Sequence, residues 1–97
     1  DETSPAAFAR RVGANTLQDL LEVSAVYMAV VEGKSKFSRR DVMQALNHIG
    51  ADKDYTQEAR LKSFRKLLTT GSLVRVDDGL FSVSHATRFG YETQLQA

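Results

Sequence analysis

The sequence predicts an α+β domain in which helices lead into a two-stranded antiparallel hairpin. Three observations carry that expectation. Between Thr56 and Thr70, the residues Leu61, Phe64, Leu67 and Leu68 recur at helical spacing and mark one buried stripe. Thr56 can cap the first turn through its hydroxyl, and Gly71 can end the helix in the left-handed region without a Cβ clash. Asp78-Gly79 then reads as a two-residue hairpin turn between LVRV and LFSV. That turn sets Asp77 opposite Leu80, Val76 opposite Phe81 and Val74 opposite Val83. Val74, Val76, Phe81 and Val83 then share the core face, and Arg75 and Ser82 point the other way.

The segments in front supply further helices. Ser4-Pro5 opens a short one, with Ser as cap and Pro where its missing amide costs nothing; Phe8, Ala9 and Val12 give it an apolar edge and Gly13 ends it. Thr16 to Glu32 is the first long helix, with a capping-box arrangement of Thr16 and Asp19, stopped by Gly33. It carries two apolar stripes. One is Leu17, Leu20, Leu21, Met28 and Val31. The other is Val23, Val26 and Val30, on roughly the opposite side. A helix apolar nearly all round must be covered twice. The second cover is either the Phe8 helix and the C-terminal segment or, if Val23, Val26 and Val30 form an interface, another subunit. Lys34 to Phe37 reads as a short extended segment. Ser38 caps the next helix, with Asp41 three residues on and a Phe37–Val42 staple across the cap. Val42, Met43 and Leu46 form its core stripe. Gly50 and Asp52-Lys53-Asp54 are loop chemistry. After the hairpin, Ser84 can cap a last short turn, and Phe89 and Tyr91 are expected to lock the tail onto the core.

Composition bounds the class. Ninety-seven residues with 42% hydrophobic content suit one small globular domain. No long uncharged apolar run and no signal-peptide pattern are visible, so the expected location is cytoplasmic, with no membrane partner. Cysteine is absent, which removes any disulfide framework or thiolate metal site. The chain opens on Asp1 rather than Met and reads as a fragment of a longer protein. The net charge of +1 names no partner, but its distribution is uneven. Lys34 to Lys66 holds nine cations against four carboxylates; the remainder holds four against eight. Such a one-sided field is the footprint of an anionic partner or of an ordinary solvated basic face.

A helix running through a glycine into a small hairpin, preceded by two helices and a short extended segment, resembles the winged-helix superfamily over Thr16 to Ser84. The resemblance implies three core helices plus a β-hairpin wing, here with an extra N-terminal helix. On that plan residues 1–15 are an appended helix, 16–91 the winged-helix domain and 92–97 a frayed tail. It also implies that helix 56–70 is a recognition helix. Its outer face offers Ala59, Lys62, Ser63, Lys66 and Thr70, with Arg65 on the flank. Small residues permit close approach to a major groove, while lysine and arginine reach phosphates or guanine edges. Lys36, Arg39 and Arg40 would hold backbone phosphates beside it. The expected function is therefore binding of double-stranded DNA. The alternative is a protein-interaction or dimerisation module, favoured by the near-neutral total charge, the acidic wing tip at Asp77-Asp78 and the second stripe of the first long helix.

Catalysis finds little support. His48 and His85 show no metal-ligand spacing with each other, and Ser84-His85 adjacency does not make a triad. Asp52 and Asp54 lack the glycine and downstream glutamate of a calcium loop, and no Gly-rich phosphate loop is present. No enzyme activity, cofactor or metal is expected.

Overall fold

A computed structural model describes residues 4–96, with the backbone alone for Asp52 and Gln96. The element order is α1 (Pro5–Val12), α2 (Leu17–Val30), α3 (Arg39–Ile49), a 3-10 turn (Asp52–Asp54), α4 (Gln57–Thr69), β1 (Leu73–Asp77), β2 (Leu80–Val83) and α5 (His85–Gln96). The class is α+β: five α-helices and one antiparallel hairpin among the described residues.

Local chemistry sets the helix starts. Ser4, Thr16, Ser38 and Thr56 each accept a hydrogen bond from the amide three residues on, at 3.1 Å in every case. At α2 and α3 the box is reciprocal, with Asp19 and Asp41 reaching back to the cap amide. Phe37 and Val42, on either side of the Ser38 cap, are both buried. Gly71, one residue past the α4 cap, adopts the left-handed conformation that a side chain would strain.

Helix α2 is the hub. It packs against α1, α3, α4, α5 and β2, so almost every face of it is enclosed. Val23 and Val26 have 0% exposure within the single chain, and Val30 is half-buried. Val23 and Val26 are therefore core, and the expectation that they could form an interface is corrected; Val30 lies half-buried at the border of that core. The physical reason is that both flanking segments fold back: Phe8 of α1 meets Tyr27 edge-on at 5.8 Å, and α5 docks on the same region. Val31 of the first stripe lies past the helix end and is exposed. The buried Ser24 hydroxyl donates to the Leu20 carbonyl at 2.8 Å, which satisfies the one polar side chain in this core.

The hairpin departs from the expected register. Asp77 pairs with Leu80 beside the turn, as expected, but beyond an irregularity between Asp77 and Arg75 the partners shift: Arg75 pairs with Phe81, Val74 with Ser82 and Leu73 with Val83. A two-residue turn of the expected type needs positive φ at both Asp78 and Gly79. Only Gly79 has it, at +68°; no non-glycine among the described residues does. β1 therefore takes an extra residue, Val76, between Arg75 and Asp77, and the one-residue slip inverts Leu73, Val74 and Arg75 relative to the expected register. Leu73, at 1% exposure, goes into the core, while Val74 and Val76 face outward, Val76 at 47%. Arg75 now shares the face of Phe81 and lies 5.2 Å over its ring. The extended segment before α3 reduces to a single bridge. Phe37 and Phe81 exchange both backbone bonds, at 3.0 and 2.8 Å, and the Ser82 hydroxyl donates to the Ser35 carbonyl.

The C-terminal segment is also corrected. It is a twelve-residue helix, and 92–96 continue it rather than fray. Tyr91 donates to Glu22 at 2.7 Å, Arg11 donates to the Leu95 carbonyl at 2.8 Å, and Gln94 donates to the Val12 carbonyl at 3.1 Å. Tyr91 does lock the tail, but Phe89 is 72% exposed and locks nothing. Since Phe8 and Ala9 join the same core cluster, α1 is an integral element of the domain and no mere appendage.

Candidate functional site

The cations singled out from the sequence separate into two neighbouring places. The first is the outer face of α4. Its core side is set by Phe64 and Leu67, which are buried, with Phe64 edge-on to Phe81 at 5.1 Å. That packing leaves Lys62, Arg65 and Lys66 exposed on the far side; Ser63 and Ala59 are half-buried at its border. Lys62 and Lys66 are one turn apart on the same face.

The second place is an open groove of about 750 Å³ between the start of α3, the first half of α4 and the hairpin. Arg39 and Arg40 line it from α3, Arg60 from α4 and Arg75 from β1, and no carboxylate among the described residues lines it. Met43, Leu61 and Phe81 provide apolar surface, and Asn47 and Gln57 provide amides. Lys36 is exposed just before the α3 cap and does not line the groove. At 100° per residue, Lys62 and Lys66 point roughly 100–180° away from Leu61 and Gln57, with Arg65 between. Arg39 and Arg40 are thus the members of the predicted set that the groove gathers.

Electrostatics at the α3 start are balanced locally. Two arginines in a first turn oppose the helix dipole, but Asp41 sits there with its carboxylate accepting from the Ser38 amide at 3.0 Å. Among the described residues, no carboxylate forms an ion pair with Arg39, Arg40, Lys62, Arg65 or Lys66. Their charges face solvent unneutralised. Asp77 and Asp78 at the hairpin tip are exposed too, and the Asp78 amide donates to the Asp77 carboxylate at 2.8 Å.

Sequence reasoning missed Arg60 and Arg75 as site residues. Arg60 follows Thr56 by four positions and shares the Gln57 side of α4, a signal present in the spacing. Arg75 was hidden by the register: with Val76 assumed opposite Phe81, it pointed away from the groove. His48 lies on α3 and His85 opens α5, both exposed. Of the Asp52/Asp54 pair set aside above, the Asp52 side chain lies outside the described residues.

Comparison of the chain with protein-family models, curated proteins and solved structures finds no match. No helix among the described residues is long and apolar enough to cross a membrane.

Proposed function

We propose that this chain is a winged-helix module that binds double-stranded DNA through phosphates, with α4 presented to the major groove. The order helix, single bridge, helix, helix, hairpin is that of a winged helix, and the pairing of Phe37 with β2 fits the short strand that such a plan requires. The observation that carries the reading is the set of exposed, unpaired cations on α4 and at the start of α3: Lys62, Arg65, Lys66, Arg39 and Arg40. Lysines one turn apart reach successive phosphates, and Arg39 and Arg40 hold the strand beside them. Lys36 and Ser63 border this surface. The acidic tip at Asp77 and Asp78 keeps the end of the hairpin off the backbone.

The test is a salt titration against mixed-sequence duplex DNA. Affinity falls steeply with salt, and each of Lys62→Ala and Lys66→Ala lowers the slope by about 1. Lys62→Glu with Lys66→Glu abolishes binding while leaving thermal stability nearly unchanged, because exposed charges contribute under about 1 kcal/mol. A double variant that binds DNA as well as the parent overturns the assignment of α4.

A further inference from the structure

The groove has features that duplex DNA does not use. Its volume is too small to admit a duplex, whose backbone could only cross its mouth. Its surface is partly apolar, with Met43 and Leu61 half-buried and open to it, and phosphates gain nothing from such surface. Its cations are all arginines, whose planar forks match carboxylates and whose flat faces lie on apolar groups, as Arg75 lies on Phe81. Lysines, the point-charge cations, stand on the other side of α4. The amides of Asn47 and Gln57 can pair with main-chain groups of an extended chain. The groove is open to solvent and not enclosed, which suits a segment laid on the surface better than an enclosed small molecule.

From this we propose that the groove between α3, α4 and β1 binds an acidic linear peptide of a protein partner, in extended form, with carboxylates at Arg39, Arg40 and Arg75 and apolar side chains over Met43 and Leu61. Charge complementarity selects the occupant: three arginines from two elements converge with no carboxylate among the described lining residues, and alternation of acidic and apolar residues matches the two kinds of surface. The bulged register is what makes the site, since the regular turn would have carried Arg75 to the opposite face. Because Arg39 and Arg40 also flank the α4 face, the peptide and DNA exclude one another. That competition, unlike the peptide binding itself, rests on the DNA reading proposed above.

The experiment is fluorescence anisotropy with a labelled peptide alternating glutamate and leucine, beside an all-glutamate peptide and a short single-stranded oligonucleotide. The alternating peptide binds tightest. Arg75→Ala weakens it about tenfold, the effect of losing one charge-assisted contact, and leaves duplex binding within about twofold. Lys62→Glu with Lys66→Glu leaves peptide affinity within about twofold. Asn47→Asp, which sets a carboxylate in the groove without touching the hairpin, weakens the peptide as well and covers the case in which Arg75→Ala disturbs β1. Unlabelled duplex displaces the peptide. Three results overturn the proposal: no peptide binding at low salt; equal binding of both peptides with equal losses in the α4 double variant, which is diffuse electrostatics; or an oligonucleotide that depends on Arg75 and Asn47 while the peptide does not, which gives the groove to nucleic acid. A parent chain that binds peptide but not duplex sinks the DNA reading alone.

Discussion

Tyr91 shows how one side chain ties α5 to the hub helix α2. Its hydroxyl is half-buried against α2 and donates to Glu22. Burial first, then the bond to Glu22 and the negative charges of Glu22 and Asp19, all oppose ionisation, so its pKa is pushed far above the ordinary tyrosine value of 10.0. The unfolded chain loses this proton near pH 10 and the folded chain keeps it, so the contribution to stability is complete below that pH and declines as pH rises beyond it. Chemical denaturation across the alkaline range should show Tyr91→Phe losing less stability per pH unit than the parent; equal slopes would remove Tyr91 as the cause. Phe37 makes a second prediction at this scale. It is 1% exposed and anchors both the α3 start and the bridge to Phe81. Phe37→Ala should cost about 3–5 kcal/mol in a denaturant titration. A loss below about 1 kcal/mol would mean that the staple is not part of the core.

At the scale of elements, the hairpin is the informative case. LVRV carries apolar residues on both parities, Leu73 on one and Val74 and Val76 on the other. Side-chain pattern alone therefore admits both registers, and counting valines selects the wrong one. What decides is φ: Asp78 does not adopt a positive value, so β1 takes an extra residue next to the turn and Leu73 turns inward. The two registers predict opposite mutational costs. Leu73→Ala should destabilise by about 2–5 kcal/mol, whereas Val76→Ala, at an exposed position, should cost under about 1 kcal/mol. The reverse order in thermal or chemical melts would restore the regular turn. Helix α4 is the contrasting case. Its stripe, cap and glycine stop are all local, and its bounds and exposed lysines follow directly from the spacing.

At the scale of the whole molecule, α2 decides how the chain assembles. A helix apolar on both sides is sufficiently explained here by α1 and α5, which meet each other and the hub through Arg11, Gln94 and Tyr91. Val26→Glu should therefore unfold the domain, because it would place an unpaired charge where no solvent reaches; circular dichroism would report the loss of helix. A folded variant with a changed oligomeric state would instead return Val23, Val26 and Val30 to an interface.

The sequence by itself determined the local features: the four helix starts, the glycine stops at Gly13 and Gly71 (α2 ends at Val30, before the expected Gly33), the staple at Phe37 and Val42, the basic bias of Lys34 to Lys66, and the lysine face of α4. Each depends on residues within a turn or two of one another, so the pattern contains the whole cause. Tertiary structure alone decided the rest. The cover on Val23 and Val26 depends on segments far apart in the chain, and so does the length of α5, whose polar sequence is held by hydrogen bonds to α1 and α2. The arginine groove belongs to the same group. Arg39, Arg60 and Arg75 come from three elements, and the last joins them because the sign of a single backbone angle at Asp78 forces a bulge that turns β1 over.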